Sequence, residues 1–239
     1  MIMDKINQDK YVALDDLMTI LSSSESTVRR DLDELESEGK LHRVHGGAEL
    51  FPSLQEELSN QEKSIKNSQV KMEIAKKACD YICDNDVIFI DAGTTTEFLI
   101  DNLGQKHITV ATNSIHHASK LVERNIKTII IGGFVKYTTD ASIGNVALEH
   151  IRKMNFDKAF LGMNGIDESY LTTPDMEEAV IKEAIIMNAK KSYVLVDASK
   201  IGHVSFAKVA PLDKVEIITE KTSSALIRKM KEKTEVIEV

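Results

Sequence analysis

Two segments set the architecture of the N-terminal region: SESTVRRDL at residues 24–32 and KLHRVHGGA at residues 40–48. If the first segment is helical, Val28, Leu32 and Leu35 fall at positions i, i+4 and i+7 and form an apolar stripe that packs against a partner. In the second segment, apolar and polar residues alternate up to two glycines, which is typical of a short β-hairpin. The spacing therefore predicts a helix followed by a hairpin.

The residues upstream extend this pattern to a helix-turn-helix. A preceding helix is predicted from an apolar face made of Leu14, Leu17, Met18 and Leu21. Three serines follow it, and the last of them, Ser24, is placed to cap the second helix through its side chain. Gly39 is expected to end that helix. Two helices joined by a serine turn and followed by a hairpin predict a winged helix-turn-helix.

Two adjacent arginines of the second helix, Arg29 and Arg30, lie off the apolar stripe and face outward. In helix-turn-helix motifs the N-terminal end of the second helix enters the major groove, and arginine suits both guanine edges and phosphates. Solvated arginines on an ordinary surface helix are the alternative, but that alternative leaves the ordered set of helices, turn and basic hairpin unexplained. The predicted DNA-binding residues are Ser24, Ser26, Thr27, Arg29, Arg30, Lys40, Arg43 and His45.

The N-terminal region is not basic overall, because in residues 1–47 six Lys and Arg side chains face ten carboxylates. Any positive surface must therefore be local, and each subunit is expected to make few phosphate contacts. Few contacts per subunit make binding as a homodimer or higher homo-oligomer more necessary, and winged modules commonly read paired half-sites. The sequence predicts double-stranded DNA and a second copy of the chain as partners.

Composition bounds the remaining classes. A chain of 239 residues with 42% hydrophobic residues is long enough for one α/β core and a small appended module. The net charge of −8 argues against a globally basic coat and against an anionic membrane partner. The sequence has no apolar run long enough for a spanning helix, and a signal peptide or anchor is not expected, which favours a cytoplasmic protein. Cys79 and Cys83 are predicted to be buried thiols, and no metal site is expected.

Residues 51–69 are polar and are interpreted as a partly helical linker between residues 1–50 and residues 70–239. From Val70 onward, short apolar strands alternate with helices. The predicted strands are 87–90, 108–111, 128–131, 159–161, 193–196 and 215–218. The predicted helices lie near 70–84, 95–103, 114–124, 143–154 and 175–190. Such alternation predicts an α/β domain with a mainly parallel sheet buried on both faces.

A second functional site is predicted where the strands of this sheet end. Directly after the first strand comes DAGTTT at residues 91–96, in which Gly93 is expected to allow a tight turn and the threonines open a helix. Free amides at a helix N-terminus, together with hydroxyl donors, can hold a phosphate. A simple helix cap explains the threonines equally well, and both interpretations stay open. Walker and dinucleotide fingerprints do not occur at this segment.

Polar residues recur at the other strand ends, at Asn113, Gly133, Asn164, Asp197 and Lys200. The carboxyl ends of parallel strands share one edge of a sheet, so these residues are expected to surround the threonine-rich turn. Lysine and amides suit a phosphate, whereas carboxylates and side-chain amides suit sugar hydroxyls. The strand ends therefore predict a site compatible with a phosphorylated polyol.

Both regions resemble the DeoR family of bacterial transcription regulators. In the N-terminal region the matching positions are Ser24, residues 27–32, Leu35, Gly39 and residues 43–48. In the larger region they are Asp91, Gly93, Thr94, Thr95, residues 112–113, 132–133 and 164–166, Thr173, Glu178, Lys182, Asp197 and Lys200. Family members usually begin with a longer first helix, so the helix within residues 1–8 is expected to be short or the true start to lie upstream.

The resemblance implies a sheet similar to that of ribose-5-phosphate isomerase, a phosphorylated sugar as signal, and homo-oligomeric repressors of sugar operons. The wing and linker resemble those of fructose-operon repressors, which implies a fructose phosphate. With Lys182 added from the resemblance, the predicted effector-binding residues are Asp91, Gly93, Thr94, Thr95, Thr96, Asn113, Gly133, Asn164, Lys182, Asp197 and Lys200. No cofactor besides this effector is expected.

The predicted function is therefore a DNA-binding transcriptional regulator, a repressor of sugar uptake or catabolism that responds to a phosphorylated sugar, and not an enzyme. The alternative is a sugar-phosphate isomerase with an N-terminal extension. It would need a carboxylate base, for which Asp91, Glu177 and Glu178 are candidates. The two glutamates are equally explained as solvated residues in the first turn of a helix after Pro174. A nucleotide-binding module is a third possibility, with little support.

Overall fold

The computed structural model describes the whole chain except Lys10, Gly39, His45, Phe51, Pro52 and Glu56. Contacts between Cα atoms group the chain into two compact units, Met1–Ser53 and Leu54–Val239. In this grouping, the part of the predicted linker from residue 54 onward packs with the larger unit. The predicted roles of Gly39 and His45 fall outside the described residues.

The smaller unit contains three helices and three short strands within its described residues. They are α1 (Ile2–Asp9), β1 (Tyr11–Ala13), α2 (Leu14–Leu21), α3 (Glu25–Ser37), β2 (His42–Val44) and β3 (Gly47–Glu49). Strand β3 is central and pairs antiparallel with β1 and β2. The predicted helix-turn-helix and hairpin are thus confirmed, and β1 adds a third strand that the sequence analysis did not anticipate.

The core of the smaller unit follows the predicted stripe. Val28 and Leu32 of α3 are fully buried, and Leu17 of α2 and Ile6 of α1 are buried with them. Leu35 is only partly buried and packs at the edge of this cluster. Ser22, with φ 47°, ends α2 in the left-handed conformation, and Ser24 caps α3 as predicted. The apolar faces of the helices therefore leave the opposite face of α3 in solvent.

The larger unit alternates strands and helices. Its helices are α4 (Asn60–Ile65), α5 (Ser68–Cys79), α6 (Thr94–Asn102), α7 (Ile115–Glu123), α8 (Asn145–Arg152), α9 (Met176–Asn188) and α10 (Ala225–Lys231). Its first six strands are β4 (Val87–Ile90), β5 (Thr109–Thr112), β6 (Lys127–Ile130), β7 (Phe134–Lys136), β8 (Ala141–Ile143) and β9 (Phe156–Gly162). The others are β10 (Gly165–Ile166), β11 (Tyr170–Thr173), β12 (Ala189–Leu195), β13 (Ala207–Pro211), β14 (Glu216–Thr219) and β15 (Val236–Glu238).

Seven of these strands form one sheet in the order β15-β14-β12-β9-β4-β5-β6, and each neighbouring pair is parallel. Two apolar clusters cover it: one includes residues of α8 and α9, and the other includes residues of α5 and α6. This arrangement explains the continuous apolar strands, since a parallel sheet is buried on both faces. The prediction of an α/β domain with a parallel sheet, joined to a small winged helix-turn-helix, is confirmed.

Several elements of the larger unit were not predicted. Strands β7 and β8 form an antiparallel hairpin, and β10, β11 and β13 form a second, antiparallel sheet. Their strands have two to five residues, too few for a clear alternation pattern. The prediction that both cysteines are buried thiols is wrong in part: Cys79 is buried, but α5 ends at Cys79, so Cys83 lies beyond the helix and is exposed. Among the described helices none is long and apolar enough to cross a membrane.

Candidate nucleic-acid interface and ligand cavity

The N-terminal turn of α3 presents the predicted DNA-binding residues to solvent. Ser24 accepts a hydrogen bond from the backbone N–H of Thr27 at 3.4 Å. Its hydroxyl also lies 3.0 Å from the hydroxyls of both Ser26 and Thr27. These three residues, with Arg29 and Arg30, are all exposed. The turn therefore offers short hydrogen-bonding groups and two guanidinium groups on one open surface, as a recognition helix requires.

The basic side chains of this surface differ in their partners. Nη2 of Arg29 lies 2.7 Å from Glu25, and Nζ of Lys40 lies 2.6 Å from Glu38. Arg43 forms an ion pair with Asp33, and its backbone N–H donates to Glu36 at 2.8 Å. Arg30 forms no ion pair with any carboxylate of the described residues.

These partners determine which basic groups of this surface are free to contact an anion. The carboxylates neutralise Arg29, Lys40 and Arg43 in the free protein and must be displaced or left beside the phosphates on binding. Among the described basic residues predicted to bind DNA, Arg30 is the one that can contact a phosphate without first losing a carboxylate partner.

The ligand cavity lies at the switch point of the parallel sheet. The chain leaves β4 to one side through β5 and β6, and the strands from β9 onward lie on the other side. Strands β4 and β9 are adjacent, so their carboxyl ends open a crevice between residues 92–93 and residues 162–164. A cavity of about 280 Å³ occupies this position.

Most of the predicted effector residues line this cavity, and four do not. Those that line it are Gly93, Thr94, Thr95, Asn164, Lys182, Asp197 and Lys200. Those outside its lining are Asp91, Thr96, Asn113 and Gly133. A further set of charged and polar lining residues was not predicted from the sequence, and it comes mainly from the segment before and at the start of α5. That set is Glu57, Asn60, Lys63, Lys66, Asn67 and Lys71.

Asp91 lies beneath the cavity instead of lining it. Its carboxylate is buried and forms an ion pair with Nζ of Lys182, which also donates to the carbonyl of Gly162 at 3.0 Å. The backbone N–H of Gly162 donates to the Asp91 carboxylate at 3.2 Å. Because these donors already occupy its carboxylate, Asp91 joins β4 to β9 and α9. It does not face the cavity, whereas the sequence had predicted that it contacts the hydroxyls of a sugar.

Two other predicted residues, Thr96 and Asn113, also form hydrogen bonds within the protein. The hydroxyl of Thr96 donates to the carbonyl oxygens of Asp91 at 2.6 Å and Gly93 at 2.9 Å, and Asn113 accepts from the N–H of Ala92 at 2.9 Å. Asn113 and Gly133 follow β5 and β6, which lie one and two strands away from β4 on the far side of the crevice. Both residues therefore lie on the side of β4 away from β9, and neither lines the cavity.

The N-terminus of α6 lines the cavity as predicted, but the conformation of Gly93 before it differs from the predicted one. Gly93 caps the helix without a side chain, and its backbone is extended (φ −179°), so the expectation of a tight glycine turn is wrong. The first amides of a helix have no intrahelical acceptor and point along the axis toward an anion. Thr94 and Thr95 line the cavity beside them, and the hydroxyl of Thr94 accepts from Nζ of Lys71 at 3.1 Å.

The lysines next to this helix end are only partly balanced by carboxylates. Among the described residues, none of Lys66, Lys71 and Lys200 forms an ion pair, although all three line the cavity with Asp197. Burial lowers the pKa of Lys71 and of Lys200, and Asp197 only partly offsets this effect. Neighbouring lysines lower both pKa values further. These shifts indicate unsatisfied positive charge, which an anionic ligand would relieve.

The opposite side of the cavity is rich in hydrogen-bonding groups. Glu178 is 6% exposed and accepts from Nζ of Lys136 at 3.1 Å and from the hydroxyl of Thr139 at 2.8 Å. The interpretation of Glu178 as a solvated residue is therefore wrong. Burial opposes the charge on Lys136, but the hydrogen bonds that its ammonium group donates to Asp175 and Glu57 outweigh this effect and raise the pKa of this lysine. Asn164 and Asn60 add amide groups to the lining.

The arrangement gives no support to isomerase chemistry. Asp91 is occupied by Lys182, Glu178 is occupied by Lys136 and Thr139, and Glu177 is exposed outside the cavity lining. Within the described part of the chain, no group of three or more His, Cys, Asp or Glu side chains could hold a metal ion. What the cavity offers is binding: ammonium groups and helix amides on one side, carboxylate and amide groups on the other.

Comparison with known proteins agrees with this division. Residues 1–53 match the DeoR-like helix-turn-helix domain, and residues 66–221 match the DeoR C-terminal sensor domain. Ribose 5-phosphate isomerase A from Methanocaldococcus jannaschii shares 20% identity with a TM-score of 0.43, over 57% of this chain and 55% of that chain. That likeness concerns the arrangement of strands and helices alone.

Curated relatives match over almost the whole chain. The "Uncharacterized HTH-type transcriptional regulator FruR" of Bacillus subtilis is 41% identical over 99% of this chain and 95% of its own length. GlpR of Haloferax volcanii is 35% identical over 94% of this chain and 89% of its own length. The lactose phosphotransferase system repressor of Staphylococcus epidermidis is 30% identical over 97% of this chain and 94% of its own length. These relatives are named as regulators and not as enzymes, and the chain belongs to the DeoR family of transcriptional regulators.

Proposed function

We propose that this regulator represses an operon for sugar uptake or catabolism, and that a phosphorylated sugar bound in the cavity changes its affinity for double-stranded operator DNA. A relative of similar length is named as a repressor of a lactose phosphotransferase system, which supports the kind of operon. The exposed face of α3 supports DNA as the partner. The protein binds as a homodimer or higher homo-oligomer, since one subunit offers few unpaired basic groups.

One observation carries the choice of ligand: three lysines without ion pairs, Lys66, Lys71 and Lys200, line the same cavity as the N-terminal turn of α6. Glu57 and Glu178 of the lining already pair with other lysines, which leaves Asp197 as the described lining carboxylate that can balance these three. Three positive charges against one carboxylate leave an excess of two. A phosphate monoester carries a charge of about −1.5 to −2 at pH 7 and would neutralise that excess. The amide and carboxylate groups on the other side suit the hydroxyls of a sugar.

The mechanism is thermodynamic linkage between the two sites. If the ligand prefers a state whose paired winged modules mismatch the operator half-sites, DNA affinity falls by the factor by which DNA weakens ligand binding. Couplings of about 1–3 kcal/mol are typical and change affinity roughly 5- to 150-fold. Residues 51–69 join the two units in sequence and are proposed to carry the change.

A thermal-shift panel of sugar phosphates tests the ligand class. The fructose phosphates stand first in the panel because of the likeness of the wing and linker, followed by glycerol 3-phosphate and the unphosphorylated sugars. A ligand at one hundred times its Kd stabilises the folded state by about 2.7 kcal/mol, which raises the melting temperature measurably. Equal shifts with fructose and its phosphates would contradict a phosphate-based site.

Variants assign the effect to the cavity. Lys200→Met is expected to abolish the shift and the response of DNA binding to the ligand, while gel shifts without ligand remain unchanged. Lys190→Met is the matched control, because Lys190 is an exposed lysine of the same unit and pairs with Asp157 outside the cavity. A Lys200→Met protein that still releases DNA at the wild-type ligand concentration would remove the cavity from the proposal.

A further inference from the structure

The segment of residues 57–67, which precedes α5 and includes α4, forms one wall of the cavity. Glu57, Asn60, Lys63 and Lys66 of this segment all line it. In sequence the segment follows the smaller unit almost directly, since that unit ends at Ser53. The family's sensor domain is matched only from residue 66, so most of this wall lies ahead of that domain.

The wall is held to the body of the larger unit by hydrogen bonds to the β7–β8 hairpin. The backbone N–H of Asn60 donates to the carbonyl of Thr138 at 3.0 Å, and its side-chain amide donates to the carbonyl of Thr139 at 2.6 Å. Nζ of Lys136 donates to the carboxylate of Glu57 at 2.6 Å. These bonds fix the segment against the side of the cavity where Glu178 lies.

The other side of the wall faces the unpaired lysines. Nζ of Lys71 donates to the carbonyl of Lys63 as well as to the hydroxyl of Thr94. The lysine that borders the α6 N-terminus thus holds the backbone of the wall at the same time. An anion that binds Lys71 would therefore lie next to residues 57–67.

Glu57 acts as an anion already present in the cavity. Its carboxylate lies 3.1 Å from Nζ of Lys63 and is shared with Lys136, and its side chain is only 9% exposed. Burial acts to raise the pKa of Glu57, but the ammonium groups of Lys63 and Lys136 lower it below its ordinary value. Glu57 therefore stays charged. It pairs with Lys63, which would otherwise be as free as Lys66 to contact an anion in the cavity.

We propose that the segment of residues 57–67 is part of the ligand site, with Lys63 and Lys66 as direct contacts of the phosphate and Glu57 as the internal anion that the ligand displaces from Lys63. The inference rests on the proposed function. Lys136 retains Glu57 after the exchange, because it can still pair with that carboxylate and with those of Asp175 and Glu178. Ligand binding then reorganises the piece of chain that leads to the DNA-binding unit.

Calorimetric titration of the full-length protein with fructose 1-phosphate, and with inorganic phosphate as a simpler probe, tests the contacts. Lys63→Met and Lys66→Met are each expected to raise the Kd about tenfold or more, as expected for one charge-assisted hydrogen bond. Lys77→Met is the matched control, since Lys77 is an exposed lysine of α5 that pairs with Asp80 outside the cavity. Wild-type affinity in both Lys63→Met and Lys66→Met would overturn the inference and leave the proposed function intact.

Glu57→Gln distinguishes competition from a structural role. Removing the competing charge while keeping a hydrogen-bond acceptor is expected to lower the Kd about threefold or more, whereas loss of a merely structural contact would not tighten binding. An unchanged or weaker affinity in a folded Glu57→Gln protein would contradict displacement of Glu57. Absence of binding of any sugar phosphate or of phosphate to the wild-type protein would overturn the proposed function and this inference together.

Hydrogen exchange of the wild-type protein gives a test that needs no variant. Saturating fructose 1-phosphate is expected to slow amide exchange within residues 57–67, where the N–H of Lys63 donates to Ser59 and that of Asn60 donates to Thr138. Amides of α10 serve as the internal reference, because no residue of that helix lines the cavity. Equal exchange of residues 57–67 with and without bound ligand would contradict the participation of this segment.

Discussion

The face of α3 and the cavity at the end of the parallel sheet use the same chemistry in opposite environments. On α3, Arg29 and Glu25 pair with half of each side chain still exposed (50% and 56%). Below the cavity, Lys182 and Asp91 pair with 6% and 2% exposed. Exposed pairs contribute about 0–1 kcal/mol because water and salt screen them, whereas breaking a buried pair leaves an uncompensated charge. Substitutions at the α3 ion pair should therefore cost at most about 1 kcal/mol of stability, whereas breaking the buried pair below the cavity should cost several times more.

Asp91→Ala should break this comparison most severely. The substitution leaves Lys182 buried without its carboxylate, and we expect the free energy of unfolding of the larger unit to fall by about 3–5 kcal/mol. Urea titrations followed by circular dichroism measure the change. Glu25→Ala, the equivalent substitution on α3, should lower the stability of the smaller unit by less than about 1 kcal/mol. A loss below about 1 kcal/mol in Asp91→Ala would mean that the buried pair does not hold β4, β9 and α9 together.

His117 is a buried titratable group that, unlike Lys182, has no carboxylate paired with it. Burial lowers the pKa of His117 to about 4, and its Nδ1 has no hydrogen-bond partner within the described residues. The folded state keeps this imidazole neutral while the unfolded chain takes up a proton below about pH 6.5. Its contribution to stability is therefore present above pH 6.5 and is lost as the pH falls toward 4, by roughly 3 kcal/mol.

The measurement is the difference between wild type and His117→Leu in unfolding free energy, followed from pH 7 to pH 4. The difference should change by that amount across the range, because the variant lacks the titrating group. His116→Leu is the matched control, because it replaces the exposed neighbouring histidine and leaves His117 in place. Parallel pH profiles for wild type and His117→Leu would show that His117 has the same pKa in the folded protein as in the unfolded chain, which contradicts the effect of burial.

Arg30→Ala sharpens the comparison on the DNA side. Because Arg30 has no carboxylate partner among the described residues, its whole charge is available to DNA, and its loss should weaken operator binding by about 1–3 kcal/mol. Ligand affinity and stability should remain unchanged. Arg152→Ala is the control, since Arg152 is an exposed arginine of α8 that pairs with Glu149. Gel shifts showing the same affinity for Arg30→Ala and wild type would remove α3 as the recognition helix.

Glu25→Gln should produce the smallest effect, and in the opposite direction. The substitution frees Arg29 from its partner and removes a negative charge from the presented face of α3, so DNA affinity should rise by about two- to threefold at low salt. Fluorescence anisotropy with a labelled duplex measures the gain, which should shrink as the salt concentration increases. A loss of affinity would show that Glu25 positions Arg29 for DNA and does not compete with it.

The sequence predicted most of the fold because the pattern of each long element is local. The stripe of Val28 and Leu32 and the apolar strand of residues 87–90 are visible in a single window of the sequence. The β7–β8 hairpin is not visible in this way, because its three-residue strands pair within a short loop. Strand β15 was missed for a similar reason, since its three residues are stabilised by pairing with β14.

The cavity was predicted only in part, because its lining depends on strand order. The rule that strand ends share an edge correctly brought Gly93, Asn164 and Asp197 together, but it does not say which strand ends are neighbours. The cavity opens between β4 and β9, whereas Asn113 and Gly133 follow β5 and β6 on the other side of β4, so neither residue lines it.

The missed lysines show a different limit. In the sequence Lys63 and Lys66 are charged residues of a polar segment, and Lys71 lies on a helix that carries other lysines. Only the packing of this segment against the sheet reveals that Lys71 is 4% exposed and that all three line the cavity.

The central claim is that the two units are energetically coupled, and reciprocal titration tests it most directly. The Kd for a duplex from the upstream region of the protein's own operon is measured with and without saturating fructose 1-phosphate, and the Kd for the sugar phosphate with and without the duplex. Linkage requires both ratios to be equal, and we expect a common factor of about 5 to 150. Two ratios of one, with both ligands shown to bind, would mean that the cavity does not control the DNA-binding surface.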